Sequence, residues 1–332
     1  MLIAYGTRPE KIKLDPLMKE FKKRGIPFNT FFTGQHETLV DNKAAEINFI
    51  EEAHLNRLDS IVMTILGHDN IFNDITRVLV QGDTTSAFAV ALAAYHRQIP
   101  VIHLEAGMRT FCVSDPYPEE FNRVAIDQMS SEFFCATLQD KVNLYRGGYF
   151  NNIHVVGNTG LDNLLGLETE YGNDVFCTMH RRENHEDMNK WFSAISYLAE
   201  TNRDFHFILP LHPNPAVTAC RDSLSSAVDV VDPMPHSEAL EVLRKCRFVI
   251  TDSGGVQEEA SFLKKRAFIC RKHTERNECI GRSSLLCSSN TNLILEFMRN
   301  SDDYQVDAEC PYGDGKSSAR IAHIIEQGLP NG

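Results

Sequence analysis

A chain of 332 residues, 42% hydrophobic and 23% charged, has the composition of a folded globular protein and is too long for one ordinary core, so two domains are expected. The formal net charge of -12 opposes association with a polyanion and excludes nucleic acid as an expected partner, although a phosphate-bearing ligand needs only a few local cations and backbone N–H groups. Nine cysteines, from Cys112 to Cys310, include no CxxC pair and no zinc-ligand spacing. Reduced, mostly buried thiols are therefore expected, with no metal site and no disulfide framework. The opening Leu2-Ile3-Ala4-Tyr5 lacks the basic segment and apolar run of a secretory signal. No apolar run reaches membrane-spanning length, so a cytoplasmic protein without a membrane partner is expected.

In chain order, short β-prone runs at 2–5, 27–32, 77–81, 101–103, 132–136 and 153–156 alternate with segments of helical period. That rhythm predicts βα units and a parallel sheet. The turn-rich Gly157-Asn158-Thr159-Gly160 follows, and the rhythm resumes at 175–179, 205–211, 228–231, 247–251 and 267–270, with helical patterns at 188–201 and 237–246. The fold class predicted is α/β, with two Rossmann-like, doubly wound parallel-sheet domains at 1–157 and 158–314. A C-terminal helix within 315–329 is available to complete the first. Ligands of open parallel sheets bind outside the carboxyl ends of the strands, so the cleft between two such domains is the expected site.

The distinctive motifs fall at those strand ends or open the helices beyond them. Gly6-Thr7-Arg8-Pro9-Glu10 opens a helix, with Pro9 suited to its first turn and Lys13 one turn further on. Arg8, Lys13 and the helix N-terminus are candidates for holding a diphosphate, and a plain βα turn reads equally well from these residues alone. In Gly82-Asp83-Thr84-Thr85-Ser86, Asp83 is either the N-cap of the next helix or a carboxylate at the cleft floor. His103-Leu104-Glu105-Ala106-Gly107 places Glu105 at a strand end, and Pro118-Glu119-Glu120-Phe121-Asn122-Arg123 places Glu119 at the following helix start. Two such acids can form a general acid/base pair, although a helix start favours Glu for its dipole alone.

In the second series, His180-Arg181-Arg182-Glu183-Asn184 puts a histidine beside two arginines, a combination suited to binding phosphate or titrating near neutral pH, although an isolated strand-end histidine is more often structural. His212-Pro213-Asn214-Pro215 also reads as a rigid turn. In Asp252-Ser253-Gly254-Gly255, Ser253, Gly254 and Gly255 form a candidate anion nest at a helix N-terminus. Glu258 or Glu259, one turn in, can accept from ribose hydroxyls. Lys272-His273-Thr274-Glu275-Arg276 follows the last predicted strand.

Taken in this order, these segments resemble the non-hydrolysing UDP-N-acetylglucosamine 2-epimerase family. The resemblance includes Thr33-Gly34-Gln35-His36 and Gly157-Asn158-Thr159, and runs from Leu2 to about Arg276. It implies a GT-B-like fold, with UDP held mainly by the second domain and the sugar facing the first, and a homodimer. It also implies inversion at the sugar C2 with no NAD, other cofactor or metal, by elimination of UDP to a 2-acetamidoglucal and re-addition. By resemblance, Asp83, Glu105 and Glu119 match the catalytic carboxylates, and Arg8, Lys13 and His180 match phosphate-side and active-site groups. Ser253, Gly254 and Gly255 match the phosphate loop, and Glu259 the acid that holds the ribose.

The sequence departs from the family at Asn277-Glu278-Cys279-Ile280-Gly281-Arg282, where Pro-Glu and a glycine-led strand are usual, and at Glu37-Thr38, where Arg-Gln is frequent. The second departure falls where bacterial members bind an activating second substrate molecule, so the resemblance does not carry that activation over. Hydrolysing relatives tend to have Arg-Ala after the first strand and an acid within the Gly-Asp-Thr-Thr-Ser run, and Arg8-Pro9 and Thr84-Thr85 argue against that reaction. A 2-epimerase of a related UDP-acetamido sugar, a GT-B glycosyltransferase and a sensor that binds without turnover remain alternatives.

Overall fold

The computed structural model describes residues 1–35, 56–287, 290, 292–299, 306 and 309–328. The chain divides into two compact units, Met1–Leu165 with Tyr312–Gly332, and Gly166–Pro311.

In the first unit the order is β1 (Leu2–Tyr5), α1 (Arg8–Arg24), β2 (Asn29–Phe32), α2 (Arg57–Leu66), β3 (Val78–Gln81), α3 (Thr85–His96), β4 (Val101–Leu104), α4 (Glu119–Met129), β5 (Ser130–Cys135), α5 (Leu138–Arg146) and β6 (Ile153–Val155). The six strands form one parallel sheet in the order β2-β1-β3-β4-β5-β6. Both faces are covered, which is why Val78 to Gln81 reads as a continuous buried run without alternation. Along β1, Leu2 and Ala4 enter the core shared with α3, while Ile3 and Tyr5 enter the core shared with Leu14, Leu17 and Phe21 of α1. The small buried residues Ala87, Ala89, Ala91, Ala93 and Ala94 of α3 allow that helix to pack closely against its neighbours.

The C-terminal helix belongs to this unit. Ile321, Ala322 and Ile325 bury into the α1 core, each large aliphatic contributing about 1.5–3 kcal/mol. The helix has no capping side chain of its own, and Asp162 replaces one by accepting from Ser317 N at 3.0 Å and Ser318 N at 2.7 Å.

In the second unit come β7 (Asp174–Thr178), α6 (Met188–Thr201), β8 (His206–Pro210), α7 (Pro215–Thr218), β9 (Val228–Val231), α8 (His236–Lys245), β10 (Phe248–Thr251), α9 (Gly254–Phe262), β11 (Arg266–Ile269), β12 (Ser284–Leu286) and α10 (Asn292–Arg299). The C-terminal helix of the first unit is α11 (Ser317–Gln327). The second sheet is also parallel, ordered β12-β11-β10-β7-β8-β9, over a core that includes Trp191, Phe192, Phe207, Phe248 and Phe268. Five of its strands were expected. β12 was not, because a three-residue Ser-Leu-Leu segment carries neither alternation nor length.

Seven of the nine free cysteines are buried, Cys112 is exposed and Cys310 is intermediate. Among the described residues, no helix is long and apolar enough to cross a membrane and no group of three or more His, Cys, Asp or Glu could hold a metal ion.

Candidate active site

In the first unit, β3 and β4 lie side by side and end together, with Gln81 opposite Leu104. Each then turns sharply, at Gly82 with φ 68° and at Glu105 with φ 67°. A left-handed backbone is uncommon outside glycine and is tolerated where the surroundings fix it. Glu105 is fixed through its side chain. Its Oε1 accepts from Lys13 Nζ at 2.6 Å and Asn158 Nδ2 at 2.5 Å, and its Oε2 from Lys13 Nζ at 2.8 Å and Gln81 Nε2 at 2.6 Å. Two acceptances on each oxygen use all four lone-pair positions of the carboxylate. Glu105 is 8% exposed, so these bonds act in a medium poorer than water.

Asp83 is not an N-cap. Thr84 caps α3, its hydroxyl accepting from Ala87 N at 3.0 Å and donating to Glu10 Oε1 at 2.8 Å. The Asp83 carboxylate instead pairs with the Arg123 guanidinium, whose Nε lies 3.0 Å away and whose Nη2 also donates to it. Its carbonyl accepts from Asn122 Nδ2 at 2.9 Å. Arg123 Nη1 donates to Glu120 Oε2 at 2.9 Å, and Glu120 also takes the backbone N–H groups of Thr110 and Phe111. Thus α4 holds Asp83 and the loop before it, with Glu119 as its first residue, half-buried.

Arg8 is exposed at the start of α1. Thr7, not Arg8, caps that helix in a capping box with Glu10, whose Oε2 takes the N–H groups of Gly6 at 3.0 Å and Thr7 at 2.7 Å. Burial pushes the Glu10 carboxyl above its ordinary pKa, against the hydrogen bonds from Thr7, Thr84 and Gly6. Gln35 Oε1 accepts from Ser86 N at 3.1 Å and Ser86 Oγ at 2.7 Å. His36, Glu37 and Thr38 lie outside the described residues.

In the second unit, the fully buried Asp252 at the end of β10 organises the turn after β7. It accepts from His180 N at 2.9 and 3.1 Å, Arg181 N at 2.9 Å and Asn184 Nδ2 at 3.0 Å. The His180 ring stacks on His212 at a centroid distance of 5.4 Å, and its Nδ1 lies 3.4 Å from Asp252 Oδ1. Burial lowers the His180 pKa, opposed by the Asp252 charge and reinforced by Arg181, His212 and Arg271. With 36% of the side chain open to solvent, water moderates the shift, and its direction favours the neutral ring at pH 7.

Ser253 caps α9, and Gly254 and Gly255 are the first helical residues. Arg276 covers Gly254, where an added Cβ would lie 2.5 Å from Nη1. Arg276 is itself part of a chain of ion pairs. Arg271 donates to Glu183 at 2.7 Å and to Glu275 at 3.0 Å, and Arg276 pairs with both Glu275 and Glu258. These pairs tie the turn after β7, the segment after β11 and the start of α9 together. Glu259 accepts from His236 Nε2 at 2.7 Å. A helix N-terminus flanked by arginine and paired glycines is suited to an anion.

The strand ends therefore bring Lys13 onto Glu105, and Arg123 onto Asp83, in one unit, and His180 beside Asp252 and Arg276 over Gly254 in the other. Gln81, Asn158, Asp252 and Arg276 as organisers escaped sequence reasoning. Gln81 and Asn158 read only as the last residue of a strand and as part of a turn, and their meaning depends on contacts distant in sequence.

Two doubly wound parallel-sheet units, each with charged groups gathered at its strand ends, define the class of α/β proteins that bind ligands at the carboxyl ends of their strands. Residues 19–326 match the family model for UDP-N-acetylglucosamine 2-epimerase, and the chain belongs to that family. It is 32% identical to a UDP-N-acetylglucosamine 2-epimerase of Campylobacter jejuni, with 100% of this chain and 98% of that one covered. Among solved structures, it is similar to the UDP-GlcNAc 2-epimerase from Neisseria meningitidis bound to UDP-GlcNAc, with TM-score 0.89, 31% identity, and 98% and 99% of the two chains covered. The Methanocaldococcus jannaschii UDP-GlcNAc 2-epimerase, in complex with UDP-GlcNAc and UDP, gives TM-score 0.84, 28% identity, and 98% and 99% coverage. These likenesses match the GT-B-like fold expected from the sequence.

Proposed function

We propose that this chain interconverts UDP-N-acetylglucosamine and UDP-N-acetylmannosamine without releasing free sugar. Family membership supports the 2-epimerase activity and the UDP-sugar substrate. The observation that carries the chemistry is the pair of acids, Asp83 and Glu105, at the ends of the adjacent strands β3 and β4, each locked on a cation.

The sugar C2–H is weakly acidic, and its removal needs a positioned base while the departing diphosphate needs donors for its charge. One carboxylate among Asp83, Glu105 and Glu119 takes the C2 proton. The C2–H electron pair becomes the C1–C2 double bond as the C1–O bond breaks, and UDP leaves with that bonding pair. The glucal then takes UDP oxygen at C1 and a proton at the other face of C2 from a second acid. No electron is exchanged with a redox partner, so the balance needs no nicotinamide. Ser253, Gly254, Gly255 and His180 hold the diphosphate side, Glu259 the ribose, and Arg8 and Lys13 act beside the first unit's carboxylates. Thr84, whose hydroxyl bridges Ala87 N and Glu10, occupies the run in which hydrolysing relatives tend to carry an acid, which favours return of UDP over capture of the intermediate by water.

Incubating the protein with UDP-N-acetylglucosamine and separating the products tests this. UDP-N-acetylmannosamine is expected. Free N-acetylmannosamine with equimolar UDP would overturn the non-hydrolysing reading, and an unchanged substrate would overturn the activity.

A further inference from the structure

We propose that His103 is a positioning residue for this reaction, acting through the Gly82 carbonyl on the backbone that carries Asp83. The proposal rests on the function proposed above.

His103 is the third residue of β4, fully buried between Ile102 and Leu104. A polar ring there costs stability unless it is hydrogen-bonded, and an aliphatic residue would fill the sheet interior at no such cost. Both ring nitrogens are engaged. Nδ1 lies 2.6 Å from Asp127 Oδ1, and Nε2 lies 2.9 Å from the Gly82 carbonyl. A carboxylate oxygen and a carbonyl only accept, so the two contacts are both hydrogen bonds when the ring donates from both nitrogens. Asp127 is also fully buried and takes Arg109 Nη2 at 2.5 Å on its other oxygen, with Arg109 Nη1 on the Met108 carbonyl at 2.8 Å. Burial opposes the Asp127 charge, and His103 and Arg109 beside it hold its pKa below the usual carboxylate value.

Well-packed apolar side chains often match or exceed such a buried ionic cluster in stability. What an apolar set cannot do is orient a carbonyl. The Gly82 residue is gripped by β4 at both ends, its N–H donating to Leu104 O at 2.9 Å and its carbonyl accepting from His103. At Asp83 the next carbonyl is held by Asn122 and the carboxylate by Arg123. Arg123 and Asp127 lie one turn apart on α4 and share a face. One helix face therefore fixes Asp83 twice, directly through Arg123 and indirectly through Asp127, His103 and Gly82. Glu105 stands two residues beyond His103, and a Cβ on Gly82 would approach its Oε2 to 3.5 Å. The grip that aims Asp83 therefore also sets its loop against Glu105.

The test uses wild type, His103→Gln and Asp127→Asn with UDP-N-acetylglucosamine in D2O. Two quantities are read: turnover, and the ratio of deuterium in recovered substrate to epimerised product. Read at the same low conversion in every variant, the ratio is independent of the amount of folded enzyme, so a merely structural role leaves it at the wild-type value. The expected result is turnover lowered about 10- to 100-fold, a ratio shifted in the same direction in both variants, and UDP affinity unchanged. Wild-type turnover in both variants overturns the proposal, as does reduced turnover with an unshifted ratio. Should one variant fail to fold, the ratio in the other decides. A wild-type protein that neither exchanges nor epimerises removes the proposed function and this inference with it, whereas an active wild type with unaffected variants removes the inference alone.

Discussion

Lys13 and Glu105 are 92 residues apart and form a two-pronged ion pair, Nζ standing 2.6 and 2.8 Å from the two carboxylate oxygens. Lys13, on sequence a candidate for a diphosphate, has its ammonium on the strand-end acid in the structure. Replacing Lys13 by Met leaves Glu105 with Gln81 and Asn158 alone, and turnover is expected to fall about 100-fold. Arg at this position is not expected to restore it, because a planar fork presents a different geometry from a compact ammonium. Steady-state kinetics on the two variants checks both expectations.

Glu105→Gln is expected to abolish detectable epimerisation while UDP binding persists. The amide would turn an N–H2 group toward either Asn158 and Lys13 or Gln81 and Lys13, all donors. Glu119→Gln should show the same separation of turnover from binding. Calorimetric titration with UDP beside the kinetic assay checks this, and near-normal turnover in both variants would contradict the two-acid chemistry.

The two glycines opening α9 should respond differently to alanine. At Gly254 the new methyl meets the Arg276 guanidinium at 2.5 Å, and Arg276 cannot withdraw without leaving Glu258 and Glu275. A loss of about 1–3 kcal/mol in stability is expected, with weakened UDP binding. At Gly255 the nearest atom is Ser253 Oγ at 4.0 Å, so Gly255→Ala should leave stability unchanged. Denaturant unfolding of the two variants gives the comparison.

Stability should decline on the alkaline side. Burial pushes the thiols of Cys135, Cys177, Cys246 and Cys270 up, Cys246 to about 12. A folded pKa above the unfolded value means that the unfolded chain releases protons first, so this stability is full below about pH 9 and is lost as pH rises toward the folded values. Lys265, lowered to about 8 mainly by burial, acts oppositely between about 8 and its ordinary value and offsets one proton. Three net protons correspond to a slope of up to about 4 kcal/mol per pH unit once all four thiols ionise in the unfolded chain. Melting temperatures from pH 7.5 upward should fall beyond about pH 9, and Cys246→Ala should flatten the decline.

The sheets were legible in the sequence because buried parallel strands write themselves as short apolar runs, as Val78 to Gln81 and Phe248 to Thr251 do. Strand ends were legible too, and with them Asp83, Glu105 and Ser253, because Gly, Asp and Ser punctuate them. Partnership was not legible. Nothing local marks Asn158 as a ligand of Glu105, or Asp127 as the partner of His103, since each contact depends on how strands are ordered in the sheet. At α3 local rules left Asp83 open as cap or as cleft carboxylate, and in the structure Thr84 takes the cap while Asp83 pairs with Arg123.

The most direct test of the account is the fate of the C2 proton. Purified protein in D2O with UDP-N-acetylglucosamine, followed by NMR at the sugar C1 and C2 protons, is expected to accumulate UDP-N-acetylmannosamine carrying deuterium at C2. Epimerised product that retains its original proton at C2 would contradict abstraction by a carboxylate and re-addition from solvent-exchanged acid.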